Sequence, residues 1–190
     1  MGEVPRVKTS QRRDWIRLTA PLTAFGLTTM TMGMIASRHT GGYPAPPFIR
    51  LFFSDTIHLK GWLTTGAGVL ALFQIVSAAR VFALFHWAPS GRFWRRAHRI
   101  SGYLAVLLTL PVAYHCIFLL GFSTESMRVA IHSLFGSALY GAFVGKMIVV
   151  RSRRFPGWAL PVAGALLFAC LIGLWLTSAF YLFRATGVTL

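Results

Sequence analysis

From about residue 15 onward the chain is built from long apolar stretches separated by short polar, glycine- or proline-rich breaks. The stretches are about 20 residues long, which at 1.5 Å per residue matches the roughly 30 Å hydrocarbon core of a bilayer. Span one runs from about Trp15 to Ser37 and span two from about Leu59 to Leu84. Span three is about Ile100–Leu120, span four about Met127–Val150 and span five about Trp158–Phe183. The breaks carry turn chemistry: Gly41 to Pro47, Pro89-Ser90-Gly91, Gly121-Phe122-Ser123 and Pro156-Gly157. The pattern predicts an all-α integral membrane protein of about five transmembrane helices. One helical domain covers residues 15–184, between a basic N-terminal segment (1–14) and a short tail (185–190). Span one, rich in Thr, Gly and Met, is the least hydropathic. It is expected to bend or to lie at the edge of a four-helix core made by spans two to five. Its length and the poor cleavage sequence Ala36-Ser37-Arg38 argue against a signal peptide.

Composition agrees. Of 190 residues 55% are hydrophobic, and mean hydropathy is +0.62, whereas soluble domains lie near about 45–50% apolar. The net charge of +15 does not point to nucleic acid, because the basic residues gather at span ends rather than along one face. Topology explains them. With the N-terminus inside, 14 of the 19 Lys and Arg lie on the cytoplasmic side and 5 outside, namely Arg38, Arg50, Lys60, Arg128 and Arg184. That split follows the positive-inside rule and puts the C-terminus outside. Cys116 and Cys170 fall within apolar spans without metal-binding spacing and read as packing residues.

The histidines carry the candidate chemistry. An ionisable side chain within a bilayer is costly and suggests function. His115 and His132 each lie about five residues inside the outer ends of spans three and four, on either side of the turn at 121–126. Folding that hairpin brings both imidazoles to one depth, roughly 7–9 Å below the outer edge. The only acids are Glu3, Asp14, Asp55 and Glu125, so a carboxylate-rich zinc or di-iron site is not available at that depth. Two axial histidines around one haem b fit better. Gly136, one turn beyond His132, leaves room for a porphyrin edge, and Arg128 and Lys60 are placed to neutralise propionates. Each has a plainer reading. A membrane histidine can simply hydrogen-bond a neighbouring helix, and the two cations can be interfacial anchors. His58, near headgroup level, is an alternative outer ligand. His98 lies 17 residues from His115, about 25 Å along the helix, and cannot share its iron. It could mark a second, inner haem with His86 or a non-histidine group as partner, but reads more simply as an interfacial histidine in a basic, phospholipid-binding loop. His39 reads as solvated. Pro111 is expected to kink span three, and Gly141-xxx-Gly145 to permit close helix packing.

Several motifs together resemble the cytochrome b-561-like haem-binding membrane proteins, and more closely an uncharacterised actinobacterial branch of that group. They are His58-Leu-Lys-Gly-Trp62 with Ala79-Arg80, His98-Arg-Ile-Ser-Gly102-Tyr103, Leu110-Pro-Val-Ala-Tyr-His115-Cys116, His132-Ser-Leu-Phe-Gly136, Pro156-Gly-Trp-Ala-Leu-Pro161 and Trp175-Leu-Thr-Ser178. The resemblance covers about two thirds of the chain and not its first 50 residues. It implies a helical bundle in a bacterial cytoplasmic membrane that holds haem b and passes single electrons. Carried over literally, it pairs His58 with His132 outside and His98 with a histidine on span five inside. Span five has no histidine, so one outer haem is expected, on His132 with His115, whose depth matches better, or His58. The expected function is electron transfer from a membrane donor such as a quinol to an extracytoplasmic redox protein. The rivals are a haem-free anchor or assembly subunit of a larger complex, and a small permease. The absence of any intramembrane acid speaks against the permease.

Overall fold

The computed structural model describes residues 7–39, 51, 53, 55–82, 91–152 and 155–188, with side chains from residue 17. Five long helices, all apolar enough to cross a membrane, account for nearly all of it. Helix α1 is Val7–Ser37 and α2 is Thr56–Val81. Helix α3 is Arg92–Tyr114 and runs on through a π-helical turn at His115–Leu120. Helix α4 is Met127–Arg151. Helix α5 is Ala159–Trp175 and continues through a π turn, Leu176–Phe180, to Tyr181–Thr186.

The helices extend beyond the apolar stretches at two places. α1 begins within the basic segment, where Lys8, Gln11, Arg12 and Arg13 are good helix formers. α3 starts at Arg92, eight residues before the apolar run, for the same reason. Polar caps set the starts of α2 and α4. Asp55 accepts from the His58 amide at 2.8 Å, and Ser126 accepts from Val129 at 3.3 Å.

Spans two to five form the core. Ala67 and Ala71 of α2 meet Leu139 of α4 and Cys170 and Leu171 of α5, with Leu108 of α3 against them. Small residues at these contacts allow close approach. Large apolar residues such as Leu22, Met30, Val69, Leu72, Leu107 and Leu166 face outward, as lipid contact requires. Hydroxyls inside the spans return to carbonyls a turn back: Thr64 to Lys60, Thr65 to Gly61 and Ser137 to Ser133. Trp175 Nε1 donates to Thr65 Oγ1 at 3.0 Å and ties α5 to α2, so this tryptophan belongs to the core. Trp158 is exposed at the end of α5.

Neighbours close a ring. α2 packs on α3 and α5, α4 packs on α5 and α1, and α1 also reaches the π turn of α3. The α3–α4 seam is the weak side, bridged by Tyr140, whose hydroxyl lies 3.1 Å from Thr109 Oγ1. α1 seals that side. Its Phe25 and Thr29 sit on Gly141 and its Pro21 carbonyl on Gly145, so the Gly-xxx-Gly pair of α4 is the seat of α1. At the end of the bundle that holds His115 and His132, Phe122 N donates to Ala36 O at 3.0 Å. Gly121 adopts φ +77° against the His39 carbonyl, where a Cβ would collide. His39 is therefore not free in solvent. It is half-buried, its Nδ1 donates to Ile35 O at 2.7 Å, and its ring meets Phe118.

Candidate functional site

A cavity of about 60 Å³ lies between α3 and α4, near the end that holds His115 and His132. Its lining includes Thr109 and Cys116 of α3, His132, Gly136 and Tyr140 of α4, Thr64 of α2 and Ser178 of α5. Beyond this lining, at the same end, Lys60 contacts His115, and Thr177 contacts both His132 and Arg128.

His115 is buried at 3% exposure, on the face of α3 turned to α2. Its Nδ1 lies 3.1 Å from Lys60 Nζ. An ammonium only donates, so Nδ1 accepts and the neutral ring carries its proton on Nε2. His132 shows the opposite arrangement. Its Nδ1 lies 3.0 Å from Thr177 Oγ1, whose own hydrogen goes to the Gly173 carbonyl at 2.7 Å. With that hydrogen on the carbonyl, Thr177 accepts, Nδ1 holds the proton and Nε2 keeps a lone pair. This is the tautomer of a metal-ligating histidine whose other nitrogen is held by an outer partner.

Both helices that flank the cluster widen into π turns at its level. Such turns are rare and concentrate at functional sites. In α5 the consequence is visible. The Tyr181 amide bonds Ser178 O, and the Thr177 carbonyl, which that amide would take in a regular α-helix, accepts from Arg128 Nη1 at 2.7 Å. The guanidinium also lies 4.1 Å from the Tyr181 ring centroid, a cation–π contact. One residue, Thr177, thus holds both His132 and Arg128.

His58 stands apart from the cavity lining. Its neighbour one turn on, Gly61, faces Leu182 and Phe183 of α5. Its ring Nδ1 lies 2.9 Å from Asp55 Oδ2. Burial pushes the Asp55 carboxyl up, but the bonds from the His58 backbone and ring outweigh it and hold the group below its ordinary range.

The structure therefore brings Lys60, His115, His132, Arg128 and Gly136 to one end of the bundle, and places His58 on the α5 side of α2. Thr177, Tyr140 and Asp55 join them. Asp55 carried a sequence signal, an acid just before a helix start, and Thr177 lay within the Trp175–Ser178 motif without a role assigned to it; Tyr140 carried none. His98 lies at the other end, its Nδ1 2.8 Å from Ser77 Oγ. His86 lies outside the described residues. No three His, Cys, Asp or Glu side chains converge on a possible metal position among the described residues.

The donor chemistry suits a haem in part. His132 has the required tautomer, Gly136 would admit a Cβ with only Leu174 Cδ2 near, at 3.8 Å, and two cations are at hand. His115 could ligate through Nε2 only after giving up its bond to Lys60. The cavity itself has room for about two waters, against about 300–1,000 Å³ for pockets of drug-sized ligands. A macrocycle would have to part α3 from α4, the seam with the least packing.

The sequence matches a family described as "Family of unknown function (DUF6529)" over residues 18–190, and the chain belongs to that family. No curated protein and no solved structure matches it.

Proposed function

We propose that this member of a family of unknown function is a b-type cytochrome-like membrane protein that carries electrons through one haem near the end holding His115 and His132. The observation that carries the reading is that Lys60 contacts His115 and also lies within electrostatic reach of His132, while Thr177 holds both His132 and Arg128 between two π turns. His132 and His115 would hold the iron, and Lys60 and Arg128 the propionates. A haem supplies one-electron redox chemistry whose potential follows its axial ligands, burial and nearby charge. The chain's own part is to fix His132 through Thr177, to place positive charge at the site and to exclude water with α1 and α5.

The excess of basic residues at the opposite end supports a bacterial cytoplasmic membrane location with the N-terminus inside. The site then faces the extracytoplasmic side, where a soluble redox protein would meet it. A quinol is the membrane donor of matching chemistry.

The optical spectrum of purified protein tests the proposal. A Soret band and a sharp reduced α band are expected, abolished by His132→Ala and by His115→Ala. Intact but colourless protein refutes it. Bleaching by His58→Ala but not by His115→Ala would assign the second ligand to His58, as in the b-561 pairing. The Lys60–His115 bond and the small cavity favour a second reading, a haem-free anchor within a larger complex. Colourless protein that co-purifies with a redox subunit would support it.

A further inference from the structure

The end of the bundle remote from this site is strongly basic. Arg92, Arg95, Arg96 and Arg99 crowd the first two turns of α3 and are exposed. That helix begins at Gly91 with no side-chain cap and no acid in its first turn, whereas α2 and α4, which start at the other end, are capped by Asp55 and Ser126. A helix start already bears about half a positive charge, so four arginines there repel it and one another. No acidic side chain is described at this end.

Inside this rim the residues are fixed. The Gln74 side-chain amide donates to the His98 carbonyl at 2.6 Å and to Ser101 Oγ at 2.7 Å. Ser77, fully buried, holds His98 by Nδ1. The His98 Nε2 makes no bond with any described residue. On α4, across the poorly packed seam, Lys146 lies within electrostatic reach of His98. Its ammonium has no hydrogen bond or ion pair with a described residue. The side chains of Glu3 and Asp14 lie outside the described residues; with no counter-charge among its described neighbours, a half-buried ammonium gains from an anion brought by a ligand. Lys146 lies five residues before the end of α4, about 7.5 Å of helix, which a lysine stem can span to reach the headgroup level.

We propose that the loosely packed seam between α3 and α4 at this basic end binds the phosphate of an anionic phospholipid. Lys146 and the His98 ring hold the phosphate, and the arginines of α3 surround it. A lipid rather than free phosphate fits because the exposed Val150, one turn beyond Lys146 on the same face of α4, offers apolar surface to acyl chains. Basic pockets between transmembrane helices take such headgroups. The site is independent of the haem reading.

Native mass spectrometry of the full chain in detergent, titrated with phosphatidylglycerol or phosphatidylcholine, tests this. Phosphatidylglycerol should be retained preferentially. Lys146→Gln should lower its retention about fivefold, the worth of one cation near a membrane surface, while Lys146→Arg preserves it. His98→Gln, which keeps Lys146, should also weaken retention. Excess inorganic phosphate should not displace the lipid. Equal retention of the two lipids, an unchanged Lys146→Gln, loss in Lys146→Arg, or displacement by phosphate would each overturn the proposal.

Discussion

Gly141→Ala tests the packing that closes the site. A Cβ at 141 would meet Thr29 Oγ1 and would stand 2.5 Å from the Phe25 carbonyl oxygen and 3.1 Å from Phe25 Cδ2. The carbonyl is backbone and cannot rotate aside. Ordinary contact begins near 3.4 Å, so α1 must retreat by about 3.4 − 2.5 = 0.9 Å. A gap of about 0.5–1 Å forfeits a quarter to a half of each dispersion contact along the seam, and overpacking of this kind costs about 1–3 kcal/mol. Alanine is also the better helix former, by about 1 kcal/mol, which partly masks the loss. Gly164→Ala removes that ambiguity. It lies in a helix with nothing within 4 Å of its Cβ, so it reports the propensity gain alone. Gly141→Ala should therefore unfold more easily than Gly164→Ala by about 1–3 kcal/mol. The assay is unfolding in mixed dodecylmaltoside–SDS micelles followed by circular dichroism. Coincident transitions for the two variants would refute the seating of α1 on α4.

Other outcomes follow from single residues. Gly121→Ala should cost about 1–3 kcal/mol in the same assay, because its backbone conformation is nearly exclusive to glycine and its Cβ would strike the His39 carbonyl. The bonds that Asp55 accepts from the His58 amide and ring hold its folded-state pKa below the ordinary carboxylate value. Its stabilisation is thus present above about pH 4, where the unfolded carboxyl ionises, and is lost as pH falls through the folded value. The capping bond is worth about 1 kcal/mol, and Asp55→Asn should flatten this acid dependence; an unchanged acid profile would contradict it. Thr177→Val keeps the shape but removes the acceptor that fixes His132. If the site holds haem, retention should weaken about tenfold or more, with Thr177→Ser close to wild type. Full haem occupancy in Thr177→Val would remove its positioning role.

The five spans were legible because bilayer thickness imposes a length on every apolar run, and the short turn between spans three and four left His115 and His132 at the same end of the bundle. Rotation about each helix axis was not legible. Lys60 was expected near propionate height, but its contact with His115 depends on which face of α2 meets α3. Arg128 shares a face with His132, yet it bonds Thr177 O because α5 widens there. A π turn leaves no compositional mark, and Pro111, the residue expected to disturb α3, lies four residues before the turn that begins at His115. Gly141 and Gly145 matched a motif too common to interpret until α1 was found resting on them.

The pairing of α1 with α4 rather than with α2 bears on how the chain is assembled. During synthesis α1 enters the bilayer first and must wait there, with Thr29 and its neighbours facing lipid, until some hundred further residues have been made. Helices α2 and α3 can pair meanwhile. Ribosome-release fragments ending after α3 should then leave α1 accessible to lipid-phase cross-linkers, and fragments that include α4 should protect it.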